Sequence, residues 1–309
     1  HITPSRSMPA SGEADQSPSG ADAPTVPSWG CGLEQPYRPP VEPAAAPGEW
    51  VDLTLRYRPP SGQQTPYRLQ LPSNYDGTTP RPLVVQFHGW GDGIDYRPQL
   101  LHHGRDNGYL VAAPLGYSDN LWPSWNGGGT TGSPGGIGPT CYDPQGEFDY
   151  CYASCGACAD TCWWTTCEDS VAQAAALLDE VQASHCVDAS RVFGTGVSNG
   201  GIFLYQLATD PRTAGRFAGF LPVIGSPHAG FGLPPISLPA PLLAIWGRAD
   251  RTVPPLPNPD APGHLGSAGL LTTIDTRWGG WRFESARLIT QMWARANGCD
   301  RAGGGEGDD

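Results

Sequence analysis

The stretch Arg191-Val192-Phe193-Gly194-Thr195-Gly196-Val197-Ser198-Asn199-Gly200-Gly201 decides how this chain reads. An apolar strand runs into Gly196-Val197-Ser198-Asn199-Gly200, a G-x-S-x-G pattern, and a helix follows over 201–208. Glycines two residues either side of Ser198 let strand and helix approach closely through a sharp, strained turn. Such a turn exposes the serine oxygen at the edge of a sheet. It also places a helix N-terminus beneath that oxygen, which favours developing negative charge. In a chain with 42 glycines the pattern also fits an ordinary strand-to-helix turn, so its surroundings must carry the reading.

Upstream, the apolar run Leu83 to Phe87 ends in His88-Gly89-Trp90-Gly91. Loops of the H-G-x-G type donate a backbone N–H to an oxyanion, which singles out the amides of Trp90 and Asn199. Removing one such donor typically costs about 3–4 kcal/mol of transition-state stabilisation. His88 reads as a structural residue rather than a base, because a base must reach the nucleophile. Downstream, Ala244-Ile245-Trp246-Gly247-Arg248-Ala249-Asp250 ends a buried run with an acid 52 residues past Ser198. That suits the chain order serine, acid, histidine, with Asp250 orienting an imidazole. The competing reading is a solvated loop acid or a partner of Arg248.

Further out, 49–58 and 65–72 alternate apolar and polar residues, as antiparallel strands joined by a turn do. Residues 109–116, 217–225 and 240–247 read as buried strands. Within 167–186, Ala174, Leu177, Leu178 and Val181 form one apolar helix face, and 283–299 reads as an amphipathic helix stopped by Gly298. Apolar strands alternating with helices predict an α/β fold, a mostly parallel sheet with helices on both faces. Residues 1–28 have almost no large apolar side chains and predict a disordered arm, with 301–309 a disordered tail.

Residues 118–167 form a long stretch of Gly, Pro, Trp and Cys, too long for a plain loop unless stapled or functional. Six of the nine cysteines fall at 141–167, and Cys31, Cys186 and Cys299 are scattered. A disulfide framework from an oxidising compartment is the leading reading, with a zinc knuckle at Cys155-x-x-Cys158 the alternative. An odd count leaves at least one thiol without an intrachain partner. Trp122, Trp125, Trp163 and Trp164 in this stretch suit stacking on sugar or phenolic rings, or packing against the disulfides.

These signals, in this order, resemble the alpha/beta-hydrolase fold. More closely, they resemble the secreted esterase family of polyhydroxybutyrate depolymerases and feruloyl esterases. The resemblance rests on Gly30-Cys31-Gly32, YRLQLPSNYDG, VVQFHGWGDG, Ser124-Trp125-Asn126, CVDASRVFGTGVSNGG, IWGRADRTVP and WARANGC, and spans roughly residues 28–300. It implies a secreted, extracellular serine esterase with Ser198 as nucleophile and Asp250 as triad acid. Trp90 and Asn199 become oxyanion donors. Among the loop aromatics, Trp122 and Trp125 are the candidate substrate contacts. An ester, possibly polymeric, is the implied partner, with no cofactor and no metal.

One departure stands out. In the family the triad histidine lies beyond the W-x-x-x-N-G-C helix, whereas the one histidine here after Asp250 is His264, only 14 residues on. His264 reads as a loop residue, and the hydrolase domain, residues 29–300, reads as lacking its last strand and its histidine. The alternative is a catalytically inactive, cysteine-stapled binding protein on the same scaffold. Thirty acidic residues against 18 basic ones, every one an arginine, give a net charge of −12, which disfavours nucleic acid and anionic membranes. No apolar run is long enough to span a bilayer.

Overall fold

The computed structural model describes residues 24–33, 45–95, 98–143, 149–232, 239–257, 272–274 and 280–299. The two alternating stretches form an antiparallel hairpin, β1 (Trp50–Thr54) and β2 (Pro66–Gln70), with Val51 opposite Leu69. β2 pairs antiparallel with β4 (Leu110–Pro114). The remaining neighbours, β3 (Arg81–Phe87), β5 (Val187–Val197) and β6 (Gly219–Val223), are parallel. The strand order is β1-β2-β4-β3-β5-β6. β7 (Thr272–Ile274) and β8 (Arg282–Glu284) form a separate antiparallel pair.

Parallel neighbours need crossovers, and helices supply them. α1 (Pro98–Asn107) joins β3 to β4, α2 (Ser170–Ser184) precedes β5, and α3 (Asn199–Thr209) joins β5 to β6. α4 (Ala286–Ala296) follows β8. The apolar stripe Ala174, Leu177, Leu178 and Val181 of α2 is buried as the spacing predicts. It joins Phe203, Leu204 and Leu207 of α3 and Ile289 and Trp293 of α4 in one core with Leu83, Val85 and Phe87 of β3. α1 lies on the opposite face, where a Cβ on Gly104 would come within 2.6 Å of Val111. Helices therefore cover both faces of a mostly parallel sheet, and this strand order is that of the α/β-hydrolase fold.

Four expectations change. Residues 240–247 are not a buried strand. Residues 241–245 run parallel to β6 through bridges at Leu242 and Ile245, yet Leu243 is 66% and Ile245 48% exposed. They form the sheet's outer edge among the described residues, so their outward face has no neighbour. The last helix starts later than expected, because Phe283 is paired in β8 and Ser285 caps α4 by accepting the Leu288 amide at 3.2 Å. α1, which carries no clear apolar stripe, was not expected. The ordered chain also begins before Trp29. The buried Asp188 carboxylate accepts the Val26 amide, and the Ser28 hydroxyl donates to the His185 carbonyl while accepting from the Val187 amide. Residues 1–23 and the tail 301–309 lie outside the described residues.

The cysteines pair as Cys31–Cys186, Cys141–Cys162, Cys151–Cys158 and Cys155–Cys167, and Cys299 is a free, exposed thiol. Cys155 and Cys158 thus serve different bridges rather than a zinc knuckle. Among the described residues no helix is long and apolar enough to cross a membrane. Cys31–Cys186 closes 155 residues of chain. In the chain-entropy account such a loop is worth about 5 kcal/mol. Replacing both cysteines by serine should lower the unfolding free energy by about 3–5 kcal/mol, read as a lower urea midpoint. An unchanged midpoint would show that Ser28 and Asp188 hold this segment without the bridge.

Candidate active site

Ser198 stands between the last residue of β5 and the first of α3 with φ 52° and ψ −119°. A positive φ on a serine costs of order 1–3 kcal/mol and persists only where the surroundings impose it. Here they do. The Ser198 amide donates to the Val223 carbonyl at 3.0 Å, and its carbonyl accepts the Ile202 amide at 2.8 Å. A Cβ on Gly200 would lie 2.4 Å from the Phe87 carbonyl oxygen, so α3 sits against the end of β3 with no room for a side chain. The first bond inside α3 runs from Ile202 to Ser198, which leaves the Asn199 amide without a partner inside the helix.

The loop after β3 meets this turn. A Cβ on Gly89 would be 3.7 Å from the Ser198 Cβ, and Trp90 and Ser198 line one cavity. His88 is buried with both ring nitrogens engaged. Nδ1 donates to the Gly89 carbonyl at 2.6 Å, and Nε2 accepts the Gly116 amide at 2.9 Å. Burial holds its pKa below the usual value and keeps it neutral. It clamps the loop and is not a free base.

The side chain of Asn199 does work that its place in the motif did not suggest. Its Oδ1 accepts the Trp125 amide at 2.8 Å and its Nδ2 donates to the Trp125 carbonyl at 3.0 Å. Trp125 itself is fully buried, stacked on Phe203 and edge-on to Phe87, with its indole donating to the His88 carbonyl. It is a core residue and presents no surface for a substrate, contrary to expectation. Trp122 is 46% exposed and packs on Trp90 with ring centroids 4.8 Å apart, outside the cavity lining.

Asp250 follows the 241–245 edge. Its Oδ1 accepts the amides of Thr252 and Val253, at 2.8 and 3.1 Å, and those two residues border the same cavity as Ser198. The structure therefore brings Ser198, the Trp90 loop and the turn held by Asp250 to one place. It does not bring a histidine among the described residues. His102 stacks on Trp50, His103 bonds the Tyr109 hydroxyl, and His185 Nδ1 lies 2.9 Å from the Ser184 hydroxyl. His228 bonds Trp164 and the Arg282 carbonyl. His264 lies outside the described residues.

The cavity holds about 170 Å³, and its walls are aromatic: Trp90, Tyr150, Trp164, Trp281 and Phe283. Its polar lining includes Ser198, Thr252 and Tyr150, and no charged side chain among the described residues borders it. Four of these rings, Tyr150, Trp164, Trp281 and Phe283, come from two segments joined edge to edge. Cys141 bridges to Trp281, the Tyr142 amide donates to the Gly280 carbonyl, and the Arg282 guanidinium donates to the carbonyls of Pro139 and Cys141. The contribution of Trp281 and Phe283 was not expected; the alternating W-x-F before the last helix is the sequence signal for it.

No protein-family model matches the chain, and no curated protein matches it. Solved structures resemble it at low identity. One is a thermostable esterase, 17% identical over 79% of this chain and 52% of its own, with a TM-score of 0.44. The aligned part thus spans about half of that esterase. Another is a poly(3-hydroxybutyrate) depolymerase from Bordetella parapertussis, 20% identical over 81% of this chain and 78% of its own, with a TM-score of 0.46. A third is a ferulic acid esterase, 14% identical over 57% of this chain and 60% of its own, with a TM-score of 0.35.

His228 is wholly buried, and that burial pushes its pKa down to about 4. The unfolded chain binds this proton near pH 6.5, so between about 6.5 and 4 the unfolded state holds more protons than the folded one. Stability should fall as pH drops through that window, by up to a few kcal/mol, and His88 acts in the same direction. Urea midpoints measured across the window should decline, and less steeply in His228→Gln.

Proposed function

We propose that this chain is a secreted serine carboxylic-ester hydrolase, of the kind found among polyhydroxybutyrate depolymerases and feruloyl esterases. The observation that carries the reading is Ser198, held at positive φ at a helix N-terminus and facing an uncharged aromatic cavity. In this reading the Ser198 Oγ attacks the ester carbonyl carbon and its proton passes to an imidazole. The amides of Trp90 and Asn199 receive the charge that develops on the carbonyl oxygen. The alcohol leaves with the imidazole's proton, and water then releases the acid from Ser198 by the same steps. Asp250 orients the imidazole.

The imidazole comes from outside the described residues, since each histidine within them is engaged elsewhere. A cavity of 170 Å³ accepts one ring or a short acyl chain; an engineered apolar cavity of about 150 Å³ binds benzene. This size favours esters carrying a phenolic or short hydroxyacyl unit, presented singly or at the end of a polymer, with the exposed Trp122 beside the entrance. Four disulfides support residence in an oxidising, extracellular setting. The engaged histidines equally favour a second reading, an inactive binding protein on this scaffold.

Hydrolysis of p-nitrophenyl butyrate separates the two. Loss of the histidine from such a triad costs on the order of a million-fold in rate, roughly 8 kcal/mol. The 309-residue chain should therefore turn over very slowly, and His264→Ala should leave that rate unchanged. Free imidazole added to the medium should raise that rate, and Ser198→Ala should abolish the gain. Activity that survives Ser198→Ala overturns the esterase reading. No gain with imidazole supports the binding protein.

A further inference from the structure

His228 lies in the loop after β6 and is wholly buried behind the cavity wall. Its two ring nitrogens face opposite demands. Nδ1 lies 2.9 Å from the Arg282 carbonyl oxygen, which can only accept, so Nδ1 carries the proton. Nε2 lies 2.8 Å from the indole nitrogen of Trp164, which can only donate, so Nε2 is bare. The tautomer is thus fixed by its neighbours. The ring also stacks on Phe283, with centroids 4.7 Å apart and planes at 20°, and stands nearly perpendicular to Trp164. Its own amide donates to the Gly128 carbonyl at 2.8 Å.

One imidazole therefore joins two cavity walls that belong to different elements: Trp164 of the cysteine-rich insertion and Phe283 of β8. A phenyl ring in its place would stack as well but would accept nothing from the indole. The charged groups nearest it turn elsewhere. The Arg282 guanidinium donates to the carbonyls of Pro139 and Cys141, and the Glu284 carboxylate accepts the Gly230 amide.

We propose that His228 is a positioning residue: by accepting the Trp164 indole proton it fixes that ring as a wall of the Ser198 cavity, and so makes the cavity select flat, ring-sized groups over bulky ones. The selectivity rests on the reading of this cavity as the ester pocket; the link between His228 and Trp164 does not.

The test uses Ser198→Ala protein, which bars turnover, and two neutral esters, flat methyl cinnamate and bulky methyl adamantane-1-carboxylate. Binding is followed by titration, and the Trp164 indole N–H is followed by ¹H–¹⁵N spectra, assigned by its absence in Trp164→Phe. The Ser198→Ala protein should bind the cinnamate about tenfold more tightly than the adamantane ester, and its Trp164 indole proton should exchange slowly. His228→Asn retains a donor near Nδ1 but does not reach the indole. It should lose the exchange protection and bring the affinity ratio close to one. His228→Gln, whose amide oxygen reaches about as far as Nε2, should restore part of both. Trp164→Phe keeps a ring but no donor, so it should lower the ratio as far as His228→Asn does, and the double variant should add nothing. Should His228→Asn fail to fold, Trp164→Phe decides the matter. An unchanged ratio in folded His228→Asn or in Trp164→Phe overturns the proposal. If the Ser198→Ala protein binds neither ester, the ester reading of the cavity and the selectivity fall together, while loss of indole protection in His228→Asn still establishes the positioning.

Discussion

Everything near the site depends on how closely α3 presses against the ends of β3 and β5. Side chains would hold these elements apart, and glycines at 196 and 200 let backbone meet backbone. The approach has two effects at once. It forces Ser198 into a conformation that a serine does not choose, and it leaves the first amide of α3 without a partner inside the helix. The strain is offset by the core beneath, where Phe203, Phe87 and Trp125 interlock. The side chain of Asn199 then ties that core to the irregular chain above it through both polar groups of the Trp125 backbone.

The cavity has a different origin from the turn. The turn into α3 supplies Ser198 and Ile202, but four aromatic lining residues, Tyr150, Trp164, Trp281 and Phe283, come from a segment that has almost no regular structure and from the stretch at β8. Such a segment cannot hold its shape by backbone pairing. It holds by three local disulfides, by buried hydroxyls such as Thr130 against Thr165 at 2.7 Å, and by indole donors such as Trp163 to the Ser133 carbonyl at 2.6 Å. The regular part of the fold presents the Ser198 hydroxyl, and the irregular part decides what lies beside it.

The sheet was largely legible because its signals are local. Alternation over 49–58 and 65–72, short apolar runs, and the glycine spacing around Ser198 are each properties of a few consecutive residues. The apolar stripe of α2 was legible for the same reason. What escaped was set by distant partners. Leu242 to Ile245 read as a buried run, yet burial depends on a neighbour that the run does not encode. Trp125 reads like Trp122, and only Phe203 and Phe87, far along the chain, place one inside and the other out. The histidines at 88 and 228 carry no mark of their duties, because the groups they bind are backbone and indole atoms from other elements. Cysteine pairing was illegible on the same grounds, although the crowding of six cysteines correctly signalled a stapled segment.

The dense stapling of the aromatic wall has a consequence for how the protein can be made. In a reducing cytosol the core sheet, which contains none of the three local bridges, loses Cys31–Cys186, which lowers its stability but leaves the glycine contacts that set the pose of Ser198 in place. The insertion lacks its covalent fasteners there, so Tyr150 and Trp164 are left to noncovalent contacts such as the indole bond to His228 and the edge-on packing of Tyr150 on Trp90. Material from such a host can look folded by far-ultraviolet dichroism and still want a lining. Periplasmic or secretory production, with an isomerase to sort closely spaced thiols, is the route that yields the complete cavity.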